Sequence, residues 1–195
     1  MMDDSGAFSS PFDSNLMGEI VPGLWIGSLW SVKELKKTPP NSSHIQWTIV
    51  SVLQSPKLLL YAKMAIKDTQ HAHSDLIIVS EEWTLADQSQ AALLSSRLSE
   101  ILSLIDDAVL QAGKDDENDR RHCCLVHCAF GVSRSAAVCA AWLISRRGCT
   151  LSQAMEKIRT ARPDASPNIG FIAGLRALEQ CNGNVQEAIL RMKKK

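Results

Sequence analysis

Leu125-Val-His-Cys-Ala-Phe-Gly-Val-Ser-Arg-Ser135 leads from a short apolar run into a tight loop, and Ala136 to Ile144 leaves it as an Ala-rich apolar stretch. A buried strand therefore enters the loop and a helix leaves it. The first backbone N–H groups of that helix have no intrahelical partner, and the dipole turns its positive end toward the loop, so an anion such as phosphate suits the place. Gly131 can adopt backbone angles closed to other residues, which lets successive N–H groups of Ala129, Phe130, Gly131, Val132 and Ser133 converge as an anion nest. Arg134, opening the helix, can grip two phosphate oxygens with its planar fork.

The same field acts on Cys128. A thiol facing a helix N-terminus and an arginine loses its proton well below its free value of about 8.5, which makes it a thiolate nucleophile without a separate base. Ser135 is placed to donate a hydroxyl hydrogen bond to the sulfur and to support it as a leaving group. His127 is expected to order the loop through its ring nitrogens rather than to transfer protons. A phosphate ester attacked in this way expels an alkoxide or phenolate, and a general acid on a neighbouring loop speeds that departure by about 10²–10⁴-fold.

The string Val126-His-Cys-x-x-Gly-x-Ser-Arg-Ser135 resembles the Cys-x5-Arg signature of the protein tyrosine phosphatase superfamily, and in its fuller form the dual-specificity branch. Glu19-Ile-Val-Pro-Gly-Leu-Trp-Ile-Gly-Ser28 is similar to the opening of such domains, and the likeness extends from about Glu19 to Cys181. It implies an α/β fold with a central, mostly parallel, twisted sheet flanked by helices. It also implies a metal-independent phosphatase without a cofactor, working through a cysteinyl-phosphate intermediate on phosphotyrosine or phosphoserine/threonine in proteins. Family members carry their acid shortly before a hydrophobic position at a helix start, and Asp87, ahead of Leu93-Leu94, matches that spacing; Glu81 and Glu82 are rivals on the same expected loop. In Arg162-Pro-Asp-Ala-Ser-Pro-Asn-Ile-Gly-Phe171, Asn168 corresponds to an asparagine that steadies the phosphate loop, while on its own terms it reads as a helix cap. The distance from Asp87 to Cys128 exceeds the family's usual one, with the excess in the charged stretch Gly113 to Arg121.

The side chains Ala129, Phe130, Val132 and Ser133 include no base. Lipid-phosphate relatives tend to carry lysines there, so the apolar lining points to a phosphoprotein as the partner. The chain resembles the small, atypical dual-specificity phosphatases, with no room for a docking domain of the MAP-kinase phosphatase kind. Its 195 residues, 45% hydrophobic, build one core. Residues 1–18, rich in Ser, Asp, Gly and Pro, read as a flexible leader, and 19–195 as the catalytic domain. Zero formal net charge gives no global field toward nucleic acid or membrane. Six cysteines without an apolar N-terminal signal read as reduced thiols in cytoplasm or nucleus.

Cys123, Cys124, His127 and Cys128 crowd together, yet alternate strand residues face opposite ways, which argues against a metal site. Cys124 could form a disulfide with oxidised Cys128. Along the chain, Glu19 to Ser28 reads as a hairpin around Pro22-Gly23, followed by a short helix from Val32 to Lys37. Strands follow at Trp47 to Leu53 and Asp75 to Ser80, with a long helical pattern from about Ala91 to Ala112. Thr150 or Ser152 opens a helix that Arg162-Pro163 ends, another runs from about Asn168 to Cys181, and Asn184-Val-Gln-Glu187 caps a last one. Ser55 to His73 follows no clear rhythm, and His71 and His73 read as surface residues. Three other readings compete: a phosphoprotein-binding module with weak catalysis, a phosphatase for a non-protein monoester, and a redox enzyme of the arsenate reductase kind using Cys124. Oligomeric state is not legible.

Overall fold

A computed structural model of the chain describes residues 16–35, 45–72, 77–85, 93–111 and 121–193. Five strands and seven helices lie among them. The strands are β1 (Met17–Val21), β2 (Leu24–Gly27), β3 (Ile45–Leu53), β4 (Ile77–Thr84) and β5 (Arg121–His127). The helices are α1 (Leu29–Leu35), α2 (Pro56–Ala72), α3 (Ser96–Gln111), α4 (Arg134–Arg147), α5 (Leu151–Ala161), α6 (Ile169–Gln180) and α7 (Val185–Lys193).

The sheet runs β1-β2-β5-β3-β4, antiparallel between β1 and β2 and parallel elsewhere. This is the expected α/β architecture. The registers align Gly27, His127 and Ser51 in one row across the carboxyl ends of β2, β5 and β3. Ligands of parallel sheets bind beyond those carboxyl ends.

Alternation along β5 divides the core. Cys123 and Leu125 pack with Val32, Leu35, Trp47, Ile49, Ala65 and Ile66 under α1 and α2. Cys124 and Val126 face the larger layer formed by α3 to α7. In that layer Leu98, Ile101, Leu102 and Ile105 of α3 are buried at helical spacing, and α4 is buried from Arg134 to Ile144. Trp142 is fully packed and its Nε1 donates to Asp106 Oδ1 at 2.8 Å, tying α4 to α3. Burial of each large apolar side chain in this layer contributes about 1.5–3 kcal/mol.

Several boundaries differ from the sequence reading. β1 begins at Met17, so Met17 and Gly18 belong to the sheet rather than to a leader, whose other residues fall almost wholly outside the described ones. β4 continues through Glu81 and Glu82 to Thr84, because pairing with the long β3 carries it forward residue by residue from Val50 to Leu53. α3 starts at Ser96, after a break at Ser95. The unreadable stretch after Ser55 is the 17-residue helix α2, with Pro56 at its first position, where a missing N–H costs nothing. Its buried face is made of Ala62, Ala65, Ile66 and Thr69, while Leu60, Tyr61 and Met64 are exposed. Size and burial run opposite to the usual order there, which hid the period. His71 is exposed as expected, and His73 lies outside the described residues.

Thr150 caps α5 in a reciprocal box with Gln153, and Asn184 Oδ1 accepts from Glu187 N at 3.1 Å at the start of α7. No described helix is long and apolar enough to cross a membrane.

Candidate active site

β5 ends at His127, and the chain turns through 128–133 into α4. Gly131 makes the turn at φ 72°, in the left-handed region. A Cβ there would lie 2.8 Å from the Gly27 carbonyl oxygen, so both backbone angle and space require glycine. The Gly27 carbonyl in turn accepts from Cys128 N at 3.4 Å, and Ala129 O accepts from Leu29 N at 3.2 Å. The loop is thus bound to the ends of β2 and α1.

Cys128 is buried, and donors surround its sulfur. Gly131 N lies 3.2 Å from Sγ and Ser135 Oγ 3.3 Å. Burial alone would push the thiol up; the Ser135 hydroxyl and the N–H groups of Ser135, Phe130 and Gly131 outweigh it and hold the thiol below its ordinary value. The downward pull comes from converging hydrogen bonds, where the sequence reading looked to the helix terminus and Arg134.

Arg134 begins α4 with its side chain buried. Its Nη2 donates to Gln54 Oε1 at 2.7 Å and its Nε to the Leu85 carbonyl at 3.0 Å. Gln54 follows β3 and Leu85 follows β4, so three parallel strands meet at this guanidinium. Neither residue carries a sequence signal, since each acts from the end of a strand remote in the chain.

His127 is fully buried between β3 and the loop. Nδ1 faces the Cys128 carbonyl at 3.4 Å, an acceptor, so that nitrogen carries the proton and Nε2 accepts from the Ser51 hydroxyl at 2.8 Å. Burial lowers its pKa to about 4, against a smaller upward effect of the Cys128 carbonyl. It is neutral at pH 7 and orders the loop, as its place beside the cysteine suggests.

The side chains of Ala129, Phe130 and Ser133 are engaged by neighbouring elements. Ala129 is buried in a small apolar cluster with Leu53 and Ala62. Phe130 is stacked on Trp30, with ring centroids 6.4 Å apart. Val132 O accepts from Ser166 N at 2.8 Å, and Ser133 Oγ accepts from Asn168 N at 3.1 Å. An oxyanion would therefore meet backbone N–H groups and Arg134, and the apolar surface expected at the site lies beside the loop. Asn168 Oδ1 accepts from Phe171 N at 2.9 Å, so its side chain caps α6 while its backbone braces Ser133.

Arg162, read from the sequence only as the end of a helix, is buried against the loop and donates from Nη2 to the Phe130 carbonyl at 2.9 Å. The Cys-x5-Arg pattern holds no trace of this second arginine.

Asp87 lies outside the described residues. Glu81 and Glu82 stand in β4, with Glu81 bonded to Arg97 and Glu82 to Lys63 at 3.2 Å, so the placement of these rivals on a loop is corrected. Cys124 and Cys128 are four residues apart with β5 between them, about 13 Å of extended chain. A disulfide needs Cα atoms within about 7 Å. Burial also drives the Cys124 thiol strongly up. A bridge between them would require β5 to leave the centre of the sheet, which removes the support for a redox enzyme using Cys124. Cys123 and Cys124 face opposite sides of the sheet, as alternation demands.

The family model described as dual specificity phosphatase, catalytic domain, matches residues 40–181. Dual specificity phosphatase 28 of Mus musculus is 53% identical over 57 residues, 29% of this chain and 35% of that protein, so the match spans about a third of that relative's length. Dual specificity protein phosphatase 1 of Arabidopsis thaliana is 30% identical over 172 residues, 86% of this chain and 71% of that one. The fold is similar to the crystal structure of human DUSP28, with a TM-score of 0.63 and 24% identity over 89% of this chain and 98% of the other.

Proposed function

The chain belongs to the dual specificity phosphatase family, and we propose that it is a cysteine-dependent phosphatase with Cys128 as its nucleophile, hydrolysing phosphotyrosine, phosphoserine/threonine or both in proteins. The observation that carries this reading is the Cys128 sulfur, buried yet ringed by the Ser135 hydroxyl and the loop N–H groups.

In the first step Cys128 Sγ attacks phosphorus, and the bond from phosphorus to the ester oxygen breaks. Arg134 and the N–H groups of 129–134 stabilise the equatorial oxygens, and they are preorganised because the loop is anchored to Gly27, Leu29 and Arg162. Gln54 and the Leu85 carbonyl hold the guanidinium in place. The leaving oxygen takes a proton from Asp87. In the sequence Asp87 stands two positions after Leu85, the residue whose carbonyl holds Arg134. In the second step water attacks phosphorus and gives its proton to the same carboxylate. The S–P bond breaks, Ser135 supports the departing thiolate, and inorganic phosphate leaves.

Turnover of an aryl phosphate and of phosphopeptides, compared between the native chain and Cys128→Ser, tests the reading. Hydrolysis falls to background in the variant; a serine variant with near-native turnover would falsify Cys128 as nucleophile. Asp87→Asn lowers kcat with less effect on KM.

A further inference from the structure

A cavity of about 230 Å³ lies beside the phosphate loop, lined by Leu29, Trp30, Lys33, Leu58 and Tyr61. We propose that this cavity is a specificity subsite that takes an apolar side chain, of leucine or phenylalanine kind, flanking the phosphorylated residue of a peptide, with Lys33 meeting an acidic neighbour of that side chain. The inference rests on the phosphatase reading and names the substrate feature that the same site selects.

The cavity is built onto the loop. Leu29 N donates to the carbonyl of Ala129, the residue after Cys128. Leu29 and Leu58 also pack on the cluster of Leu53, Ala62 and Ala129, which forms a continuous apolar floor between loop and cavity. Trp30 lines the cavity and stacks on Phe130, at an interplanar angle of 26°, so its ring bridges the two. A peptide whose phosphate sits in the nest therefore has this surface within reach of a flanking side chain.

Size and chemistry select the occupant. Small-molecule sites measure about 300–1,000 Å³, and this cavity is smaller, fit for one side chain. Four of its five lining residues are apolar or aromatic, and Lys33 supplies a single positive charge. Tyr61 of its wall and Phe130, stacked on Trp30, are each more than half exposed, so apolar surface is open to a substrate there. Leu60, Tyr61 and Met64 of α2 face outward because the helix seats itself with Ala62, Ala65, Ile66 and Thr69, leaving Tyr61 at the cavity wall.

The test measures binding of fluorescent phosphotyrosine peptides to full-length Cys128→Ser protein, in parallel with turnover of an aryl phosphate by the native chain. The peptides carry Leu, Phe or Gly in turn at each flanking position, beside Glu or Lys. We expect one position at which Leu or Phe binds about tenfold tighter than Gly, the range of a modest apolar fit in a pocket. Adding Leu58→Asp or Tyr61→Asp removes that ratio, and Lys33→Glu turns the preference for Glu into one for Lys. A flat profile across all positions, or a profile that none of the three substitutions changes, overturns the subsite. Loss of native aryl phosphate turnover with the binding profile intact overturns the catalytic reading alone.

Discussion

Replacing Ser135 by alanine removes one hydroxyl and little volume from a fully buried position, so its consequences can be worked from a single hydrogen bond. Ser135 Oγ donates to Cys128 Sγ at 3.3 Å, and this hydroxyl is the largest of the influences that hold the thiol down against burial. Hydrogen bonds to charged groups are worth about 1.5–3 kcal/mol, and a pKa unit is about 1.36 kcal/mol. A long contact to sulfur belongs at the lower end, and without it the Cys128 thiol rises in Ser135→Ala. Gly131 N remains 3.2 Å from the sulfur, which prevents a full return to the ordinary value. The pH dependence of iodoacetamide alkylation at Cys128 reads the shift, followed by mass spectrometry of its peptide so that the partly exposed Cys149 does not contribute. Weaker support of the departing thiolate also slows hydrolysis of the cysteinyl phosphate. A burst of one product per site precedes a kcat reduced by about tenfold, or about 1.4 kcal/mol of barrier. An alkylation profile superimposable on that of the native chain would refute the assignment of Ser135 to the sulfur.

Gly131→Ala sets a Cβ 2.8 Å from the Gly27 carbonyl at a φ of 72°; strain of about 1–2 kcal/mol plus the clash should weaken vanadate binding and lower kcat/KM by more than about tenfold, and unchanged vanadate affinity would remove the nest from the argument. Gln54→Ala removes the acceptor 2.7 Å from Arg134 Nη2; kcat/KM for aryl phosphate should fall by about tenfold, and a value equal to the native one would show that Gln54 is not needed to hold the guanidinium. Acid stability follows from His127, whose folded pKa is about 4 against 6.5. The unfolded chain takes up its proton below pH 6.5 and the folded one only near 4. Stability present above pH 6.5 is therefore lost as pH falls through that window, by about 3 kcal/mol at about 1.36 kcal/mol per unit. Urea midpoints from pH 7 to pH 4 check this, with a flatter slope expected for His127→Gln; His122, also lowered by burial, adds in the same sense.

The parts of this protein that were legible in its sequence are those whose physics is local. A loop with Cys128, Gly131, Arg134 and Ser135 between an apolar strand and an Ala-rich helix states its own geometry, because N–H groups at a helix start and a left-handed glycine act on their immediate neighbours. The Pro22-Gly23 hairpin, the Thr150 and Asn184 caps and the alternation of Cys123 and Cys124 belong with it, each decided within a few residues. The α2 helix escaped because Leu60, Tyr61 and Met64 face out while Ala62, Ala65 and Thr69 face in beside Ile66, so burial, which only neighbouring elements can assign, ran against composition. Glu81 and Glu82 read as loop carboxylates because nothing near them records that β3 pairs β4 as far as Thr84.

The second half of the site is a tertiary product. Gln54, Leu85, Ser51 and Arg162 reach the loop from strand ends and a helix end distant in the chain, brought together by the register that sets Gly27, His127 and Ser51 in one row. By itself the sequence determined the Cys128 loop and the strand–helix frame around it, since spacing along the chain encodes short-range hydrogen bonding. Only the packed sheet decided what clamps Arg134, what keeps His127 neutral and which apolar cavity borders the phosphate, since those contacts exist only once remote segments share the same edge.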